Sequence, residues 1–262
     1  MSDDQITRAD VCAAAIADAF AEDCEIFGSP MGMLPMLGVR LAKLTSNPDL
    51  VISDGESVFL AGVPPLFAKG DVVEGWIPFR RVFDVVAYGK RHVMMGATQV
   101  DRHGNQNISA IGDFAKPKRQ LLGLRGFPGN SINHTNSFFV PNHGPRVFVD
   151  KEVDVVCSVG YRKERWPAGV KNDYMGIHHI VTDLCVMDFG GPDHAIRVIS
   201  LHPGVSFEQV QAATGFPLLN SADLRETAHP TAEQLAIIRR LDPKDMRGKQ
   251  IKDNPPGIRK PA

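Results

Sequence analysis

Three short polar segments carry the residue types that catalysis would need. The first is Ser53-Asp54-Gly55-Glu56-Ser57, directly after the apolar run Leu50-Val51-Ile52. Its two carboxylates bracket a glycine, and Asp54 has the chemistry of a general base, a nucleophile or a helix cap. Asp-Gly is equally an ordinary turn. The second runs from Gly96 to Asn107. Around its Arg102-His103-Gly104-Asn105 turn stand three hydrogen-bonding side chains, Gln99, Asp101 and Asn107. Such a set either ties the turn together or faces a polar ligand. The third is Leu124-Arg125-Gly126-Phe127-Pro128-Gly129-Asn130-Ser131-Ile132-Asn133-His134. Its two glycines permit close approach of the backbone to a ligand. A helical turn starting near Asn130 would present free N–H groups to an anion or oxyanion. The spacing is not that of a phosphate-binding P-loop, and no Gly-Lys-Ser/Thr follows. His134, His143, His178 and His179 lack metal-ligand spacing, so no metal site is expected. Cys12, Cys24, Cys157 and Cys185 stand singly and read as buried small hydrophobes in a reducing compartment.

Elements must hold these segments in place. Thr7 with Asp10 starts a helix in capping-box fashion, and Ala9, Cys12, Ala13, Ile16 and Phe20 recur at helical spacing. A second apolar helix is predicted over 35–44 and a third over 78–88, with Phe79, Val82, Phe83 and Val86 on one face. Two later helices carry clean caps: Ser206 with Gln209, ending near Gly215, and Thr231 with Gln234, continuing to about Leu241. Strand-like runs occur at 50–52, 92–95, 137–140, 146–149, 153–156, 179–189 and 196–201. Helices and short apolar strands alternate in the first half, which predicts an α/β open sheet, parallel in that half and mixed later, flanked by helices. One domain over 1–245 is expected, with 246–262 as a charged, proline-containing tail that is loose or lies on a partner. In such sheets ligands bind beyond the strand carboxyl ends, where all three polar segments fall.

Composition narrows the classes. Of 262 residues 43% are hydrophobic and 23% charged, the balance of a folded globular protein. Lys plus Arg (29) nearly cancels Asp plus Glu (30), leaving no net field for nucleic acid or an anionic membrane. No apolar run is long enough to span a bilayer. The acidic N-terminus is unlike a secretory signal, so a cytoplasmic location is expected.

Taken together, the three segments resemble the β subunit of class I coenzyme A transferases, and most of all its steroid ring-cleaving hydrolase branch. Besides them, the resemblance rests on Glu74-Gly75-Trp76-Ile77-Pro78-Phe79, Asp188-Phe189-Gly190-Gly191-Pro192-Asp193-His194 and Ser200-Leu201-His202-Pro203-Gly204-Val205. It spans about residues 7–244. It implies an α/β subunit that pairs with a homologous α subunit, as αβ or (αβ)2, with the active site at their interface. Coenzyme A would enter as part of the substrate, with no other cofactor. In transferases of this kind a glutamate at the strand-end motif attacks the acyl-CoA. The matching position here is Asp54, one methylene shorter, with Glu56 two residues along. A carboxylate set back by about 1.3 Å misses an attack geometry that tolerates little displacement. The hydrolase branch needs no enzyme nucleophile: water attacks a ring ketone and a C–C bond breaks, as in a reverse Claisen reaction. The resemblance puts the principal base on the α subunit. It assigns Asp54 and the backbone N–H groups of Gly129 and Asn130 to the chemistry. Substrate contacts fall to Glu56, Gln99, Asp101, Asn107, Gly126, Pro128 and His134. A CoA transferase for a dicarboxylic or keto acid, and a non-catalytic stabilising subunit, are the alternatives.

Overall fold

The computed structural model describes residues 6–53, 57–68, 72–124, 126–170 and 175–257. Asp54, Glu56 and Arg125 lie outside the described residues. Seven strands form the main sheet in chain order: β1 Phe27–Pro30, β2 Arg91–Gly96, β3 Thr135–Val140, β4 Gly176–Thr182, β5 Cys185–Asp188, β6 Arg197–Leu201 and β7 Leu219–Glu226. β1 to β4 pair in parallel. β5 is antiparallel to both neighbours, and β6 pairs with β7 in parallel. The expected sheet, parallel first and mixed later, is the one observed.

Alternation along the strands sorts the core into two layers. Met94 and Phe139 face α1 (Arg8–Asp18), α2 (Met33–Leu44) and α6 (Ala232–Leu241). Val93, Met95, Phe138 and Val140 face the other side, with Phe127 of α4 (Phe127–Asn133) and Val210 of α5 (Phe207–Ala212). α3 (Phe79–Tyr88) packs on α4 at the rim of that second layer. No helix among the described residues is long and apolar enough to cross a membrane.

The predicted caps form. The Thr7 N–H donates to Asp10 Oδ2 at 2.8 Å, and Ser206 and Thr231 accept from the N–H groups of Gln209 and Gln234. Gly38 lets α1 and α2 touch, since a Cβ there would stand 2.2 Å from Ile16 Cγ2.

Several expectations are corrected. The run 50–52 makes one parallel bridge, Phe27 with Val51, rather than a strand of the sheet. The runs 146–149 and 153–156 are apolar because Phe148 and Val153 pack into the core, not because they join a ladder. The run 179–189 is two strands, because Thr182 Oγ1 accepts from the N–H groups of Leu184 and Cys185 and turns the chain back. Cys24 is exposed in a left-handed turn, unlike the three buried cysteines. As far as residue 257, the segment expected to be loose or to lie on a partner is packed on its own chain. Arg247 is buried between Asp10 at 2.6 Å and Asp242 at 3.2 Å. Pro255 O accepts from Arg8 N, Asn254 Oδ1 accepts from Ala9 N, and Ile6 O accepts from Gly257 N, each at 2.9 Å. The last described turn therefore closes over the start of α1.

Candidate functional site

The chain leaves β1 at Met31-Gly32 and β2 at Gly96-Ala97-Thr98, and a cavity of about 810 Å³ opens between these two exits. Ile108, Leu121, Leu122 and Phe127 make its wall apolar. It lies at the carboxyl ends of parallel strands, where the topology places a ligand. A second cavity of about 550 Å³ adjoins it, sharing Met31. Ser53 and Ser57, which flank the Asp54-Gly55-Glu56 motif, line this second cavity, with Val82 and Val85 of α3 opposite. The roles expected of Asp54 and Glu56 fall outside the described residues.

The loop before α4 is placed as the glycines suggested, and its helix starts earlier. Gly126 takes a left-handed conformation, φ +67°, at the N-cap, and Pro128 occupies the first turn. Because α4 begins at Phe127 rather than near Asn130, the Asn130 N–H is spent on Gly126 O at 2.9 Å. Asn130 is thereby corrected from an oxyanion donor to a residue inside the helix. Gly129 faces α3: a Cβ there would meet Val86 Cγ1 at 2.8 Å. Pro128 is exposed, and its carbonyl accepts from Ser131 Oγ at 2.8 Å. His134 is buried, with Nε2 bonded to Val86 O at 3.0 Å. Burial and the nearby Arg91 cation push its pKa down to about 4, which keeps it neutral. It holds α3 to α4 rather than facing a ligand.

The Gln99, Asp101 and Asn107 set ties its own turn, the first of the two possibilities its sequence left open. The Asp101 carboxylate accepts from the N–H groups of His103 and Asn105 and from Asn105 Nδ2. Asn107 Nδ2 donates to Gln99 Oε1 and to Ala110 O, each at 2.7 Å. Gln99 Nε2 donates to Asp154 Oδ2 at 3.1 Å. All three side chains are buried with their bonding capacity used within the chain, so the expected substrate contacts from them are corrected to turn-forming bonds.

Arg91, at the start of β2, was not singled out by its sequence. It is 5% exposed, and its guanidinium borders the second cavity. Nη1 donates to Ser29 Oγ at 3.1 Å and Nη2 to Asn130 Oδ1, while Nε has no partner among the described residues. Burial pushes its pKa down to about 10. A charged residue immediately before the buried run His92-Val93-Met94-Met95 is the sequence signal that could have found it.

No protein-family model matches the chain. Individual proteins do. The chain is 50% identical over 248 residues to the "Cholesterol ring-cleaving hydrolase IpdB subunit" of Rhodococcus jostii, covering 94% of this chain and 97% of that one. It is 34% identical to one of the subunits of the 3-oxoadipate CoA-transferase of Pseudomonas knackmussii, covering 80% and 84%. Among solved structures, that of Rhodococcus jostii IpdAB superposes with a TM-score of 0.89 at 50% identity, covering 94% of this chain and 98% of that one.

Proposed function

Because the chain belongs to the family of cholesterol ring-cleaving hydrolase and CoA-transferase subunits, we propose that it is the β subunit of a heteromeric acyl-CoA hydrolase. With a homologous α subunit it opens the last steroid ring of a cyclic β-keto CoA thioester in cholesterol catabolism. The observation that carries this reading is the 50% identity to the ring-cleaving subunit over nearly the whole chain. The apolar cavity at the strand exits suits a ring substrate. Exposed Trp76, Phe79, Phe83 and Tyr88, on α3 and just before it, suit a chain that works with a partner.

In the reaction, hydroxide from an activated water adds to the ring ketone carbon. The bond from that carbon to the α-carbon of the thioester breaks. Its electron pair becomes the thioester enolate, which takes up a proton. The former ketone leaves as a carboxylate, and the CoA thioester remains intact. The principal base belongs to the α subunit, and this chain supplies the apolar wall and fixes the substrate's orientation. No acyl group passes to Asp54 or Glu56.

The test is turnover of a cyclic β-keto acyl-CoA by the co-expressed subunits in 18O-labelled water, with borohydride and hydroxylamine trapping in parallel. One labelled oxygen in the new carboxylate, retained thioester and no trapped adduct are expected. A CoA adduct on Asp54 or Glu56, with CoA passed to a free acid, would return the chain to the transferases.

A further inference from the structure

A buried polar cluster lies between α4 and the first strands of the sheet. Arg91, Asn130, His134 and Asn136 form it, and each is 5% exposed or less. Arg91 Nη2 donates to Asn130 Oδ1. Asn136 Nδ2 donates to Asn130 O at 2.9 Å and to His134 O at 2.8 Å. In the parallel pairing of β2 with β3, His92 stands opposite Thr135 and Val93 opposite Asn136. One residue further back, Arg91 and His134 are neighbours on the face that carries Val93 and Asn136. The Arg91 charge acts on the His134 ring accordingly. Three atoms of this cluster are buried and have no hydrogen-bond partner among the described residues: Arg91 Nε, His134 Nδ1 and Asn136 Oδ1. A buried polar atom left unpaired is costly, and three on adjoining side chains point to a shared partner.

Their roles define that partner. Arg91 Nε–H can only donate. Asn136 Oδ1 can only accept, and the amide cannot be turned round because Nδ2 serves two carbonyls. His134 Nε2 faces Val86 O, which accepts, so the ring proton sits on Nε2. Burial keeps the ring neutral, which leaves Nδ1 as an acceptor. One donor therefore stands with two acceptors. A metal ion would face the guanidinium charge, and a halide could not donate to His134 or Asn136. A water molecule accepts from one group and donates to two, and buried waters typically make about three such bonds. We infer that Arg91, His134 and Asn136 form a binding site for one internal water molecule where α4 meets β2 and β3. His134 and Asn136 line none of the cavities described above, so this water is set apart from the solvent that fills them. It does for Nε what Asn130 does for Nη2: the inner edge of the guanidinium is held on both sides. The inference goes beyond the ring-cleaving reading and does not depend on it.

The test is neutron and X-ray diffraction from one crystal of the complex between this chain and its α subunit, exchanged into D2O. One ordered water within about 3.2 Å of all three atoms is expected. Its two deuterons should point to His134 Nδ1 and Asn136 Oδ1, and the Arg91 Nε deuteron should point to its oxygen. Direct contact among the three side chains, a bond from any of the three atoms to residue 54, 56 or 125, or an empty position would overturn the site. So would a deuteron on His134 Nδ1, which would reverse the roles. Asn136→Leu offers no acceptor and should lose the water. A water kept at full occupancy in that variant would remove Asn136 from the site and overturn it. The unaltered complex decides the matter even where Asn136→Leu fails to fold.

Discussion

α1 and α3 are of similar length and face opposite worlds. Ten of the residues of α1, Arg8 to Ala17, are buried, and none of α3 is. α1 is alanine-rich, and Val11 to Ala17 within it are wholly apolar, so it sits inside the first layer between α2, α6 and the sheet. α3 has the clearer amphipathic pattern, yet its apolar stripe is wider than its support. Val82, Val85 and Val86 lean toward α4 and the cavity, while Phe79 and Phe83 meet edge to face at 5.9 Å on the outside. Helical periodicity reveals which way a helix faces. It does not reveal whether the surface it faces belongs to the same chain.

The comparison can be broken most severely with acid. Burial holds His202, beside α1, down to about 3, His143 also to about 3, and His134, under α3, to about 4. These lie below the ordinary value near 6.5, so the unfolded chain binds more protons. Stability is complete above pH 6.5 and is lost as pH falls toward 4 and then 3. Circular dichroism with hydrogen exchange from pH 7 to 4 should show α3 amides exchanging before those of α1. Simultaneous loss would mean that the two helices belong to one cooperative unit.

Arg247→Met attacks the α1 side alone. It leaves Asp10 and Asp242 buried without their cation and should cost about 3–5 kcal/mol in urea denaturation. A smaller cost would mean that the segment over α1 opens to water. On the α3 side, Gly129→Ala should cost about 1–2 kcal/mol through its clash with Val86. Val86→Ala in the same chain should recover part of the loss, and additive effects would mean that the two helices do not share that contact. Smallest of all, Phe79→Ser should shift the stability of the isolated chain by no more than about 0.5 kcal/mol. A loss of 2 kcal/mol would make α3 part of the core after all.

The interior was legible in the sequence and the edges were not. α1, α5 and α6 announce themselves through Thr7-Asp10, Ser206-Gln209 and Thr231-Gln234, and the central strands through unbroken apolar runs. The two strands without a signal, β1 and β7, are the edges of the sheet. β1 contains Gly28 and Pro30, which only an edge tolerates, and β7 is largely polar and exposed. At the site, chain-end logic located the cavity, and residue type alone overstated its lining. Gln99, Asp101 and Asn107 look like ligand contacts until their partners are counted. Arg91 looks like a strand flank until its burial beside the second cavity is noticed.

The closure of residues 254–257 over residues 6–9 also sets a schedule. A ribosome releases α1 early, while the groups that bond its first N–H groups, Pro255 O and Asn254 Oδ1, are made some 245 residues later. The salt link from Asp10 to Arg247 waits almost as long. The first layer therefore cannot be finished until residues 247–257 have been made, and α1 waits that long to be secured. Alanine suits a segment that must wait: it holds a helix well and offers little greasy bulk to a stray neighbour. Damage to residues near 254 is accordingly felt at residues 6–9, some 245 positions earlier in the chain.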